Sequence, residues 1–258
     1  MGGGLKRILA VAANTYRETV RERVLYNLVL FAVLMTLSGL LMKQLSIRQD
    51  ERIIKDIGLA AMELFGTLIA VFMGVGLVSK EIERRSLYPL LAKPLDRSEF
   101  ILGRFVGLGF TLLVNVAVMT AGLYLTLAAT HATLDPNLLK AVYGILLGLL
   151  LVVALALLFS ALSSSMLAAV GTVILVVAGH FSDIIRNMRQ VAPGTPNWLS
   201  GMLYYALPNF RNFDLKSRVV HFDPVAAADL GWITLYAAAY LAVVLGLALT
   251  VFRSRDLV

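Results

Sequence analysis

An acidic side chain inside an apolar run is the first residue in this chain that could do chemistry. Glu63 stands within the block Ile57–Val78, seven positions after Asp56 and so about 10 Å along a helix of 1.5 Å rise per residue. An ionisable group at that depth is costly to bury, and by default it marks a pathway facing a bundle interior or a cavity. The plainer alternative is a side chain near the outer headgroups, hydrogen-bonded to a neighbouring span. The spacing leaves both open. Glu81 and Glu83, with Arg84 beside them, have the residue types of a hydrolytic carboxylate pair. They lie in a segment with nothing to exclude water, so we read them as part of a charged surface. His131, His180 and His221 are not at ligand spacing and no cysteine assists them, so they read as interfacial polar residues and no metal is expected. The chain has no Gly-x-x-x-x-Gly-Lys-Ser/Thr loop, no His-Glu-x-x-His and no Gly-x-Ser-x-Gly. No catalytic residues are therefore assigned, and no cofactor is expected on this chain.

The elements that must position these residues follow from composition. Of 258 residues 59% are hydrophobic and only 15% charged, against about 45–50% and about 25% in soluble domains. The absence of cysteine excludes disulfides, thiolate zinc sites and iron–sulfur clusters. The apolar residues fall into six blocks, Leu25–Met42, Ile57–Val78, Phe105–Ala129, Val142–Leu162, Met166–Phe181 and Leu230–Phe252. A membrane-spanning helix needs ~20 residues, so the blocks predict an all-α polytopic membrane protein with six transmembrane helices. The rest of the chain is tails and loops, which makes residues 1–258 a single transmembrane domain. The net charge of +7 reads as Lys and Arg flanking the spans against anionic lipid, since no basic run with interleaved aromatics points to nucleic acid.

Basic residues near the span ends set the orientation. With the N-terminus inside, the inner segments hold 13 Lys and Arg and the outer segments hold 10 spread over more residues. Both termini are therefore expected in the cytoplasm, with 182–229 as a long outer loop. Residues 5–24 form an amphipathic helix ahead of the first span. Leu5, Ile8, Leu9, Ala12, Tyr16 and Val20 make its apolar stripe, and Lys6, Arg7, Arg17, Glu18, Arg21 and Glu22 lie off it. Such a helix is expected to lie in the membrane interface. No small-residue cleavage site closes the following block, so no removed signal peptide is read. Gly103/Gly107 and Gly144/Gly148 are small residues at spacing four, which allow close helix approach. The apolar and aromatic run from Trp198 to Leu207 in the outer loop predicts short helices at the interface or a segment dipping back into the protein.

The inner segment 79–104 is the most informative stretch. Ser86 can cap a short helix, Pro89 is tolerated in its first turn, and Pro94 ends it. Asp96 with Glu99 has the form of a capping box for the helix entering the third span. Leu87, Leu90 and Leu91 then face the cytosol on a short stiff element, and apolar residues so placed need a partner surface. The segment resembles the Glu-x-Glu-x-Gly-Thr-Leu-x-x-Leu-Leu-Ala-x-Pro-x-x-Arg stretch of type-2 ABC exporter permeases, in particular the copper-enzyme-maturation-like group. Glu81, Glu83, Leu87, Leu90, Leu91, Ala92, Pro94 and Arg97 match it, while Arg85-Ser86 replace Gly-Thr. Leu207-Pro208-Asn209 and the closing Phe252–Leu257 are also similar to that family.

The resemblance implies the permease subunit of an ATP-driven exporter in a bacterial or archaeal cytoplasmic membrane. It implies a homodimer forming the substrate pathway and docking two copies of an ABC ATPase subunit, which would carry the ATP and Mg. Glu81, Glu83, Leu87, Leu90, Leu91, Pro94 and Arg97 would form the ATPase-coupling surface, and Glu63 a possible pathway residue. A secondary transporter or channel is the rival, favoured by paired carboxylates or broken helices at matching depths. A membrane-embedded enzyme would need a clustered nucleophile or metal set, and none is visible. Substrate identity is not encoded in any motif.

Overall fold

The block that is apolar on every side becomes the most enclosed helix, as a helix without a polar face must be. The computed structural model describes residues 2–21, 30–35, 37, 50–83, 97–187, 196–221 and 223–254. Among them there are helices and no strands. We number the helices α1 (Gly2–Arg21), α2 (Asp50–Glu83), α3 (Arg97–Ala129), α4 (Leu138–Leu162), α5 (Ser165–His180), α6 (Ser182–Arg186), α7 (Asn197–Ala206), α8 (Lys216–Val220) and α9 (Ala227–Ser254). A 3-10 turn at Phe210–Phe213 lies between α7 and α8.

Four helices are long and apolar enough to cross a membrane: Glu51–Gly76, Ser98–Ala129, Leu138–Leu162 and Ala227–Phe252. They correspond to the second, third, fourth and sixth blocks. The fifth block becomes α5, with only 16 residues and thus ~24 Å against a hydrocarbon core of ~30 Å. The first block falls largely outside the described residues, apart from helical residues 30–35 and 37. Helix α4 sits at the centre with 72% of its apolar window buried, while α9 is peripheral at 22%. Trp232, Leu235, Val243 and Leu247 of α9 are exposed, as lipid-facing side chains are in a membrane protein.

Glycines set the helix spacing. A Cβ on Gly66 would lie 2.5 Å from Leu149 Cδ1, and one on Gly74 would lie 2.5 Å from Ala156 Cβ, so α2 runs parallel to α4 in close contact. The Gly103/Gly107 pair of α3 accepts α1. A Cβ at Gly103 would meet Val11 at 2.7 Å, and one at Gly107 would meet the Ala12 carbonyl oxygen at 2.6 Å. Arg7 pairs with Glu99 at 3.7 Å, and Tyr16 packs edge-on against Phe110, ring centroids 5.0 Å apart. Numbering rises together on both helices, so α1 runs parallel alongside the first part of α3. The expected stripe divides between two surfaces. Ala12, Thr15 and Thr19 are buried, whereas Leu5 and Leu9 are exposed, because a glycine groove selects small side chains over large ones.

Helix α5 reverses from α4 through a two-residue turn. Gly171 lies against Phe159, 3.1 Å from a Cβ to the ring, so nine residues further His180 is level with Leu150, the middle of α4. The chain fills the space beyond with its own residues 208–213. The Pro208 carbonyl oxygen closes on Gly179, Phe210 stacks on the His180 ring at 5.2 Å, and the Phe213 carbonyl oxygen packs against Gly144. A Cβ at Gly179 or Gly144 would come within 2.3 or 2.5 Å of those oxygens. Irregular backbone is tolerated at such depth only when its polar groups are satisfied within the protein. Asn209 does this: its N–H donates to Tyr236 Oη at 2.8 Å, and its Oδ1 accepts from Ser182 Oγ at 2.8 Å and Arg211 N–H at 3.1 Å. The Trp198–Leu207 run forms α7 as short helix, and Tyr240 Oη donates to the Tyr205 and Ala206 carbonyls at its end.

Candidate functional site

Helix α2 carries Glu63 to the face toward α5, and the end of α5 brings His180 to it. The two come together because α5 stops midway. His180 Nε2 lies 3.1 Å from Glu63 Oε1, and its Nδ1 lies 2.9 Å from the Val176 carbonyl oxygen. Both ring nitrogens thus face oxygen acceptors, an arrangement that the doubly protonated ring satisfies. Helix α8 then folds in from the segment between α5 and α9, and Lys216 Nζ donates to Glu63 Oε2. Asp214 Oδ1 stands 3.8 Å from the same ammonium. Glu63 is therefore a paired carboxylate with one partner on each of two other elements. Its side chain is 25% exposed and that of Lys216 is 17% exposed, so the pair is largely desolvated.

The cluster closes one end of a cavity of about 590 Å³ between α2 and α5. Leu64, Leu68 and Phe72 line one wall and Val170, Val173 and Val177 the other. The cavity is apolar along its length and ionic at a single end. Sequence reasoning singled out Glu63 but treated His180 as an isolated interfacial residue, and it did not single out Lys216. The usable signal for His180 was its position at the end of an apolar block too short to span, beside a second block carrying an unpaired carboxylate.

The other histidines do not join this cluster. His131 occupies the turn after α3 with φ 56°, and His221 Nδ1 lies 2.8 Å from the Ser217 carbonyl oxygen within its own turn. No group of three or more His, Asp or Glu side chains able to hold a metal occurs among the described residues. Glu81 and Glu83 fall in the last turn of α2, and Arg97 begins α3. Leu87, Leu90, Leu91 and Pro94, and Asp96 of the expected capping box, lie outside the described residues. Glu99, the other member of that box, is in the first turn of α3, 3.7 Å from Arg7.

The sequence profile of the ABC-2 family transporter proteins matches residues 9–257, nearly the whole chain. The chain belongs to the ABC-2 transporter family. It is accordingly a multi-pass membrane protein and a transport permease, and permeases of this family usually work with an ATPase subunit. The match is to the family as a whole and so carries the type-2 permease part of the sequence expectation. No curated protein matches the chain significantly. In this permease, the Leu207-Pro208-Asn209 stretch that resembles the family has a structural role. Pro208 closes on Gly179 and Asn209 satisfies the turn beside it.

Proposed function

We propose that this permease is the membrane subunit of an ATP-driven exporter, working as a homodimer and docked on its cytoplasmic side to two ATPase subunits that carry ATP and Mg. The observation that carries this reading is the length of α2. Ser160 Oγ, near the end of α4, donates to the Val75 carbonyl oxygen at 3.4 Å, which sets the end of α4 level with about residue 77 of α2. Helix α2 continues to Glu83, six residues or ~9 Å further. Glu81 and Glu83 stand on that projection, immediately before the Leu87, Leu90 and Leu91 segment and its Pro94 and Arg97 boundary. A rigid arm of this kind supports a role in receiving force from a partner, and the chain has no ATP-binding loop of its own. The substrate pathway lies by the α2–α5 cavity, with Glu63 facing it, and both termini are cytoplasmic in an inner membrane.

The test is purification of the tagged permease from its native host. An ATPase subunit retained in stoichiometric amount, with turnover altered by the permease, supports the reading. One further observation favours the secondary transporter instead: α5 ends midway along α4, beside a paired carboxylate, as broken helices do at coupling-ion sites. Absence of any ATPase from the native complex, with transport driven by an ion gradient in liposomes, would move the conclusion to that reading.

A further inference from the structure

We propose that the groove between α2 and α5 holds a long-chain amphiphile with a single anionic head, its hydrocarbon along the groove and its head on Lys216. The proposal names the ligand class of the site that the transport reading assigns to the pathway, and it rests on that reading.

Shape comes first. The groove runs from Ala60 to Phe72 on α2 and from Ala169 on α5 to Phe181 just past its end, twelve residue steps along each, or ~18 Å. One leaflet of hydrocarbon measures ~15 Å, half of the ~30 Å core. The groove is therefore one extended chain long. Three of its four polar lining residues, Glu63, His180 and Lys216, gather at one end. Its rim is formed by side chains that remain exposed, Leu64 at 60%, Phe72 at 68% and Ile174 at 63%, so it opens sideways, where lipid lies. Entry from the bilayer needs no aqueous gate.

The head chemistry follows from counting donors and acceptors. Each carboxylate oxygen of Glu63 already has a partner, one on His180 and one on Lys216. Each ring nitrogen of His180 already faces an oxygen. An ammonium has three donors, and Lys216 uses one of them on Glu63, while Asp214 at 3.8 Å is beyond hydrogen-bond length. Two donors are left at the closed end of an apolar groove that Lys216 itself lines. A group that accepts, a carboxylate or a phosphate monoester, satisfies them with charge-assisted bonds. A protonated amine head has no acceptor for these donors, whereas an anionic head accepts them while Lys216 and the doubly protonated His180 ring offset the carboxylates of Glu63 and Asp214. An uncharged head would leave the pull of the ammonium unused.

The experiment uses the full chain in phosphatidylcholine nanodiscs and a palmitate analogue bearing a photoreactive diazirine in its chain. Cross-linked peptides are mapped by mass spectrometry, with the alcohol and amine of the same chain as comparison probes. Labelling by the acid should concentrate on residues 60–72 and 169–177 and exceed that of either comparison probe by about tenfold, the value of one charge-assisted bond. Lys216→Gln should lower it by about tenfold and Lys216→Arg should retain it. Val173→Trp, which fills the groove without touching the ionic cluster, should abolish it. Equal labelling by alcohol and acid overturns the proposal, as does labelling spread equally over the exposed face of α9. Complete protection by inorganic phosphate alone would assign the site to a free anion instead. Cross-links joining two copies of the chain across an unlabelled groove would assign it to the dimer. ATPase retention is scored on native preparations separately. Groove labelling without a copurifying ATPase sinks the exporter reading alone, and an ATPase with no groove labelling sinks the amphiphile alone.

Discussion

A carboxylate twelve residues, or ~18 Å, into the span Glu51–Gly76 is stable only while its partners hold it, and this makes Glu63 a sensitive position. Removing one member of a desolvated pair is costly mainly because it strands the other charge. Glu63→Gln keeps the shape of the side chain and removes the charge, leaving Lys216 with Asp214 at 3.8 Å as its nearest carboxylate. The variant should reach the membrane at normal levels, lose thermal stability in detergent and transport poorly. Lys216→Met should behave similarly. In the double variant the two losses should not add, with an interaction energy of ~1–2 kcal/mol in a double-mutant cycle followed by thermal unfolding. Additive losses would show that the pair does not couple α8 to the spans. Glu63 was legible in the sequence because a lone charge interrupts an apolar run. Lys216 was not, because its segment has no periodicity and only the fold back over α5 brings it across. Its contact with Glu63 links residues 153 positions apart.

Elements in this permease are spaced by small residues, and at this scale the sequence was legible in part. Gly103/Gly107 mark a close approach to another helix, and Gly144 of the second pair marks one to the irregular Phe213 backbone, while Gly148 has only ordinary contact with the Phe213 side chain. On α1 the side that packs on protein is set by the groove and not by hydrophobicity. Leu5 and Leu9 belong to the apolar stripe of α1, but the glycine groove of α3 takes Val11, Ala12 and Thr15, and the leucines are left for lipid. Between helices in lipid, close backbone approach rather than apolar character decides which face packs. Gly107→Ala should therefore destabilise the α1–α3 pair by ~1–3 kcal/mol, since the added Cβ meets a backbone oxygen at 2.6 Å and has no flexible neighbour to displace. Gly246→Ala on α9 is the control: nothing lies within 4 Å of its Cβ, so the change should be neutral or stabilise by up to ~1 kcal/mol. Thermal denaturation of the two variants in the same detergent separates packing from helix propensity. Equal melting temperatures would mean that α1 does not depend on the glycine groove.

At the scale of the whole molecule, four spans were legible because their apolar runs are long enough to leave no other solution. The fifth was legible as a block too short to span, but the segment that packs beyond it was not, since composition cannot show where residues 207–221 fold back to complete a layer. Orientation rests on the basic residues and is open to direct test. The chain has no native cysteine, so single cysteines at Ser86 and Ser217 report sides cleanly. Ser217 is exposed on α8. An impermeant thiol reagent applied to intact cells should label position 217 and spare position 86, and the reverse pattern would invert the topology. If position 86 is spared, the segment that follows α2 in the sequence, with Leu87, Leu90 and Leu91, is on the cytosolic side, as the proposed ATPase docking requires. Burying each leucine against a partner contributes about 1.5–3 kcal/mol. Replacing Leu90 and Leu91 together by Ala should then weaken ATPase retention by ~3 kcal/mol or more, at least about a hundredfold in Kd. Glu81→Ala should differ in kind, because a charged residue at the rim of such a surface fixes its angle rather than its affinity. That variant should retain the ATPase in pull-down while ATP turnover continues without transport. Stoichiometric retention and normal transport in the double leucine variant would remove this segment as the coupling element, whatever the fate of Glu81.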